Sequence, residues 1–141
     1  VRITARLSYG LDALVDLAAA PGPVKGDVLA SRHGVSVGFL ENILADLRRG
    51  GVVRSKRGGS GGYWLARPPD QITVADVIRT LDGARSFEAS VPGRLAPVWR
   101  AISQAGIDAA EAMTLSDLRT ADLPVPVTDL GGTPVPPDGP R

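Results

Sequence analysis

Residues 52–67, VVRSKRGGSGGYWLAR, decide how this chain folds. Two short β-prone runs flank five consecutive small residues, Gly58 to Gly62, and Arg54, Lys56 and Arg57 lie on the approach to them. Val53, Ser55 and Arg57 alternate with Val52, Arg54 and Lys56, and Tyr63 and Leu65 can pair back across the loop. Glycine reaches positive φ without strain and lets the backbone come close to a partner. The stretch therefore reads as a hairpin with cations at its base, built to reach into something anionic. A phosphate-binding loop would also be glycine-rich. Here no Gly-Lys-Ser/Thr follows and no helix starts after the glycines, so that reading fails.

The segment just before the hairpin supplies its context. Leu40, Ile43, Leu44 and Leu47 fall at i, i+3, i+4 and i+7, which predicts a helix over residues 36–49, capped by Ser36 and ended by Gly50-Gly51. Its other face carries Ser36, Gly38, Phe39, Glu41 and Asn42 and finishes with Arg48 and Arg49. A small, polar N-terminal end suits a helix entering the major groove. An ordinary solvated face would look similar, and the basic hairpin that follows decides between them. Upstream, a short helix over Lys25–Arg32 is expected, with Val28 and Leu29 inward and Gly34 in the helix-ending position. Before it, Leu7, Leu11, Leu14, Val15 and Ala18 form one stripe of a helix over 4–20, stopped by Pro21-Gly22-Pro23. Helix, turn, helix and basic hairpin, in that order, make a winged helix-turn-helix whose most economical partner is duplex DNA.

Downstream, Thr73-Val74-Ala75-Asp76 is a capping-box start for a helix lined by Val74, Val77, Ile78 and Leu81 and ended by Gly83. Residues 84–94 show little pattern and read as a loop. From Leu95 a stripe of Leu95, Val98, Trp99, Ile102, Gly106, Ala109, Ala110 and Met113 predicts a long helix. A stripe this far past a complete winged unit must be covered, and a two-fold partner is the simplest cover, with folding back on its own domain as the alternative. Thr114-Leu115-Ser116-Asp117 is a second capping box, opening a short final turn. The expected organisation is a DNA-binding unit over 1–83, a loop over 84–94, a dimerisation helix and short final helix over 95–123, and a tail over 124–141. That tail has six prolines in eighteen residues and is expected to be disordered. The fold class is mainly α with one small β-hairpin.

Charge divides along the same line. Residues 1–67 hold ten Lys/Arg against five Asp/Glu, whereas 68–141 hold six against ten, so +5 and −4 combine to the net +1 of the 141-residue chain. A basic half joined to an acidic half fits a nucleic-acid face attached to something else. There is no cysteine and only one histidine, His33, which removes disulfides, thiolate metal sites and most zinc or Ser-His chemistry. No apolar run approaches a membrane span, and a cytoplasmic location is expected. Asp12 and Asp16 share a helix face at i, i+4, but with no nucleophile nearby they read as solvated rather than catalytic. His33 reads as a satisfied surface or capping residue, and Trp64 and Trp99 as packing residues. No catalytic constellation is present, so the chain is not expected to be an enzyme.

These motifs together resemble the Rrf2 family of bacterial winged-helix transcription regulators. The resemblance rests on the opening VRITARLSYGLDAL, the segment SVGFLENILADLRRGGVVRS, the wing RGGSGGYWLARPP, the following ITVADVI and the late TLSDL. It covers about residues 2–83 and, more loosely, 95–118. It implies a homodimer crossed through the long helix, with Leu95, Val98, Trp99, Ile102, Gly106, Ala109 and Met113 at the interface. The dimer would bind a pseudo-palindromic operator, usually as a repressor. Ser36, Gly38, Phe39, Glu41 and Asn42 would meet bases in the major groove, Arg57 would sit in the minor groove, and Arg6 and Tyr9 would lie near the DNA backbone. The family often has Ser or Pro where this chain has Gly38. Well-studied members also carry three cysteines, holding an iron–sulfur cluster, between the fourth helix and the dimer helix. The corresponding stretch here, ARSFEASVPGR, has none, so no cluster and no other cofactor is expected.

On this reading, Arg6, Arg48, Arg49 and Lys56 supply phosphate neutralisation, and Gly58, Ser60 and Gly61 bring the wing onto the duplex. Asn42 can bond an adenine edge with both amide atoms, Glu41 can accept from cytosine N4 or act by repulsion, and Phe39 can meet a thymine methyl. The alternative is a winged-helix module that binds another protein and little or no DNA. Three routes to regulation stay open: a small ligand near the dimer helix, a protein partner, or control by abundance.

Overall fold

The computed structural model describes residues 2–88 and 92–120, and the Pro-rich segment 124–141 lies outside them. α1 (Ala5–Ala19) starts where Thr4 Oγ1 accepts a hydrogen bond from the Leu7 amide at 3.1 Å. It stops at Ala20, whose extended backbone is the conformation favoured before proline. α2 (Gly26–His33) and α3 (Val37–Arg49) are joined through Gly34, which sits at φ 64°, ψ 31° and closes its N–H onto the carbonyls of Ala30 and Ser31. That left-handed conformation is strained for residues with a Cβ. Ser36 caps α3, its Oγ accepting from the Phe39 amide at 3.2 Å.

α3 is the centre of the core. Leu40, Ile43, Leu44 and Leu47 are fully buried, and the helix packs on α1 and α2. Truncating any of the four to Ala should cost about 2–5 kcal/mol, because close-packed neighbours cannot fill the space. At its end, α3 passes so near the helix that follows the wing that a Cβ on Gly50 would overlap the Thr80 methyl.

The hairpin comprises β1 (Val53–Lys56) and β2 (Gly62–Leu65), antiparallel, with Val53 opposite Leu65, Arg54 opposite Trp64, Ser55 opposite Tyr63 and Lys56 opposite Gly62. Val24 exchanges backbone hydrogen bonds with Tyr63 at 2.9 and 2.8 Å, which ties the loop after α1 to the wing. A 3₁₀ turn at Pro69–Gln71 leads into α4 (Val74–Asp82). The capping box forms as its spacing predicts, with Thr73 and Asp76 bonding each other's amides at 3.0 Å. α5 (Ala96–Ala112) and α6 (Leu115–Thr120) follow, the latter opened by Thr114 and Asp117 in the same arrangement. The two boxes lie side by side: the Val74 amide donates to Met113 O at 2.8 Å, and the Leu115 amide to Ile72 O at 2.9 Å.

Three details depart from the sequence expectations. Val28 faces outward, 41 % exposed, while Leu29 and Ala30 are buried. The inner face of α2 is set by Gly26, Leu29 and Ala30 at i, i+3 and i+4, which leaves Val28 on the other side. Residues Ala84–Phe87, expected as loop, form a 3₁₀ turn that buries Phe87, with the Arg79 guanidinium 5.6 Å above its ring. Finally, α6 lies against α1, with Leu115 fully buried and Arg119 donating to the Ala18 carbonyl at 3.4 Å. The final helix thereby closes the core of the winged unit.

Candidate nucleic-acid interface

The N-terminal end of α3 stands clear of the core because its apolar residues all lie on the other face. Ser36, Gly38, Phe39, Glu41 and Asn42 are all exposed, and nothing lies within 4 Å of where a Cβ on Gly38 would be. Exposure does not mean freedom. Phe39 is 38 % exposed, yet its ring meets Tyr9 edge to face, centroids 5.8 Å apart, which fixes it against α1. Glu41 leans back onto the start of α2, its Oε1 3.0 Å from where a Gly26 Cβ would sit. A carboxylate there meets the positive end of the α2 dipole.

Asn42 is held more firmly. Its Oδ1 accepts from Arg6 Nη1 at 2.7 Å, and Arg6 also pairs with Asp46 through its other terminal nitrogen. Asp46 is shared, since its second oxygen pairs with Arg49. Two of the expected phosphate-binding cations are thus engaged by one carboxylate that the sequence reading passed over. The signal was present, because Asn42, Asp46 and Arg49 recur at i, i+4 and i+7.

The wing presents Lys56, Arg57, Gly58, Gly59 and Ser60 to solvent, and neither Lys56 nor Arg57 has an ion-pair partner among the described residues. Gly61 is different. It is buried, its amide donates to Gly58 O at 3.0 Å, and a Cβ on it would overlap the Lys56 carbonyl. Gly58 and Gly62 hold φ of 105° and 136°. Arg48 reaches from α3 to Ser55 Oγ at 3.4 Å, linking helix and wing.

Between them lies a cleft of about 610 Å³ lined by Lys25, Glu41, Arg48, Lys56, Arg57 and Tyr63, among others. Burial raises the Tyr63 phenol above the ordinary value of 10.0, the nearby Glu41 raises it further, and Arg48 opposes them. Of the exposed residues at the start of α3, Glu41 alone lines this cleft, together with Lys56 and Arg57 of the basic hairpin.

Elsewhere the expected residues separate. On α5, Leu95, Val98, Trp99 and Ile102 are 42–59 % exposed, Gly106 and Ala109 are half-buried, and Met113 packs with Ile107 and Ala110 against the chain's own core. The stripe seen in sequence is thus one row with two surroundings, open to water along the first turns and packed on the chain's own core along the last. His33 bonds Asp16 across α1 and α2 at 2.8 Å, so Asp16 is a partner rather than a solvated residue. Trp64 is half-buried in a shallow groove beside Leu17, Pro21 and Pro68.

A helix-turn-helix whose second helix exposes a polar N-terminal end beside a basic wing defines a DNA-binding regulator of winged-helix type. The comparisons name the family. The model of the Rrf2 family, described as iron-dependent transcriptional regulators, matches residues 3–121, and the chain belongs to this family. It is 38 % identical over 142 residues to Rv1287 of Mycobacterium tuberculosis, which carries the name of an HTH-type transcriptional regulator. That match covers 92 % of this chain and 88 % of the relative. It is 34 % identical over 124 residues to the HTH-type transcriptional regulator CymR of Bacillus subtilis, covering 84 % and 89 %. The solved structure of that CymR, the global cysteine regulator of its organism, superposes with a TM-score of 0.79 at 33 % identity over 86 % of this chain and 98 % of CymR. IscR of T. potens gives 0.74 at 34 % identity over 86 % and 88 %. The protein is therefore a helix-turn-helix transcriptional regulator, not an enzyme, and no helix among its described residues is long and apolar enough to cross a membrane.

Iron in the family description calls for ligands. This chain has no cysteine, and no group of three or more His, Asp or Glu side chains gathers among the described residues. An iron–sulfur cluster needs thiolates, and this donor set does not fit one.

Proposed function

We propose that the protein is a homodimeric repressor that binds a pseudo-palindromic operator without an iron–sulfur cluster. The observation that carries this reading is the exposed polar start of α3 next to a wing whose Lys56 and Arg57 have no ion-pair partner among the described residues, with Glu41, Lys56 and Arg57 lining one cleft. Ser36, Gly38, Phe39, Glu41 and Asn42 meet base edges in the major groove. Arg57, with Gly58 and Ser60, follows the minor groove, while Arg6, Tyr9, Arg48, Arg49 and Lys56 lie along phosphates. Gly61 serves by shaping the wing turn.

The dimer reading is supported by the outer face of α5. Four large apolar side chains, Leu95, Val98, Trp99 and Ile102, line one side of its first two turns in contact with water. Such a contiguous patch favours association. Two-fold symmetry then sets two recognition helices about one helical turn of DNA apart, roughly 34–36 Å. Repression is the sign assigned, following the usual behaviour of the family.

Selection of bound duplexes from a random library tests the proposal. The expected product is an inverted repeat with half-sites one turn apart, recovered by colourless protein with negligible iron. A single half-site, or no enriched sequence, would overturn the operator reading, and a stoichiometric cluster spectrum would overturn the cluster-free one.

A further inference from the structure

We propose that Asp46 is a specificity-determining residue that acts through Arg6 on Asn42; this inference rests on the DNA-binding reading above. The chain of contacts is short. Asp46 uses one carboxylate oxygen for Arg6 and the other for Arg49, and Arg6 spends a second guanidinium nitrogen on Asn42 Oδ1 at 2.7 Å. Arg6 comes from α1 and the other three from α3, so the arrangement spans two elements of the core and is not a local helix contact.

The consequence for recognition follows from hydrogen-bond chemistry. A guanidinium has donors and no acceptor, so the face of the Asn42 amide turned to Arg6 must be its oxygen. That bond takes one of the two lone pairs of Oδ1 and fixes which way the amide points, leaving both NH₂ donors outside the network. A free asparagine can turn either end to a base, whereas this one is held with its oxygen toward Arg6 and offers its NH₂ first. It matches acceptor edges in the major groove, namely purine N7, guanine O6 and thymine O4, and meets cytosine N4 or adenine N6 donor against donor. The reader at this position is thus chosen by residues that need not touch a base.

Asp46 has a second effect through the same contacts. Holding Arg6 and Arg49 against a carboxylate reduces the positive charge they offer to phosphates on any sequence. Affinity without discrimination is therefore lowered at the face where discrimination is read.

The test uses the full-length protein and the operator recovered from the wild type, with every single-base substitution in one half-site. Asp46→Asn keeps the shape of the side chain and removes its charge. Arg6→Met leaves the Asp46–Arg49 pair in place and frees Asn42, so it guards against a fold defect in the first variant. Asn42→Ala marks which base pair the amide reads. Both Asp46→Asn and Arg6→Met are expected to flatten preference at that base pair and leave the others unchanged. Asp46→Asn should also strengthen binding to a scrambled duplex and steepen the salt dependence by roughly one unit in log–log slope for each cation freed. Base preference that survives both variants, with unchanged binding to the scrambled duplex, would overturn the role of Asp46. Absence of sequence-specific binding by the wild type would instead overturn the DNA-binding reading itself.

Discussion

Tyr9 of α1 and Phe39 of α3 meet edge to face, with ring centroids 5.8 Å apart and planes at 89°. The contact braces the exposed end of α3 against the first helix of the fold. Such a pair is worth about 0.5–1.5 kcal/mol beyond the area it buries. Tyr9→Ala should cost more than that in urea melts, since the area the ring buries is lost as well, and should weaken operator binding because Phe39 loses its stop. Tyr9→Phe keeps the ring and should preserve stability. If Tyr9→Ala binds the operator as tightly as wild type, the brace has no part in recognition.

The wing makes opposite demands on neighbouring glycines. A Cβ on Gly61 would overlap the Lys56 carbonyl, whereas one on Gly59 meets nothing within 4 Å. Gly61→Ala should therefore distort the hairpin and lower the thermal midpoint, while Gly59→Ala should keep the unfolding free energy within about 0.5 kcal/mol of wild type, as open surface sites do. Equal midpoints for the two variants would show that the turn is not shaped as described.

On α5, Trp99→Ala with Ile102→Ala removes much of the exposed apolar face. Light scattering should report a single chain of 14.6 kDa for this variant, against twice that mass for wild type. Operator affinity should fall sharply, since each half-site would be bound alone. A variant that stays dimeric would move the interface elsewhere.

Tyr63 predicts a specific pH dependence. Its phenol titrates above the ordinary 10.0 in the folded chain, mainly through burial, with Glu41 adding and Arg48 opposing. The folded state thus holds this proton more tightly than the unfolded chain does. The associated stability is fully present below the unfolded value and is lost as pH rises through the folded one. As pH rises past the ordinary tyrosine value of 10.0 the urea midpoint should fall, and Tyr63→Phe should make that fall shallower. Parallel curves for both proteins would contradict the assignment.

Much of the fold was legible because its signals are local. The Leu40–Leu47 spacing, the Ser36 cap, the two Thr-to-Asp boxes and the glycine-flanked hairpin each need only a few adjacent residues. What stayed hidden depends on contacts distant in sequence. Arg6 and Asn42 are 36 residues apart, and His33 and Asp16 are 17 apart. No periodicity reports such pairings. Val28 misled because Leu29 is paired on the inner face with Ala30, on its other side, and a small alanine gives a weaker apolar signal than a valine. The stripe on α5 divides for a different reason: its residues share one side of the helix, and only its last turns lie where the chain's own core covers them. Phe87 escaped notice because one aromatic in an unpatterned stretch carries no period at all.

The most direct measurement is fluorescence anisotropy of the purified protein on its own upstream intergenic DNA and on a scrambled duplex, across a salt series. The account predicts tight binding without added metal, a preference of about 10³ or more for the natural sequence, and a steep loss of affinity with salt. Failure to bind either duplex at low salt would contradict it.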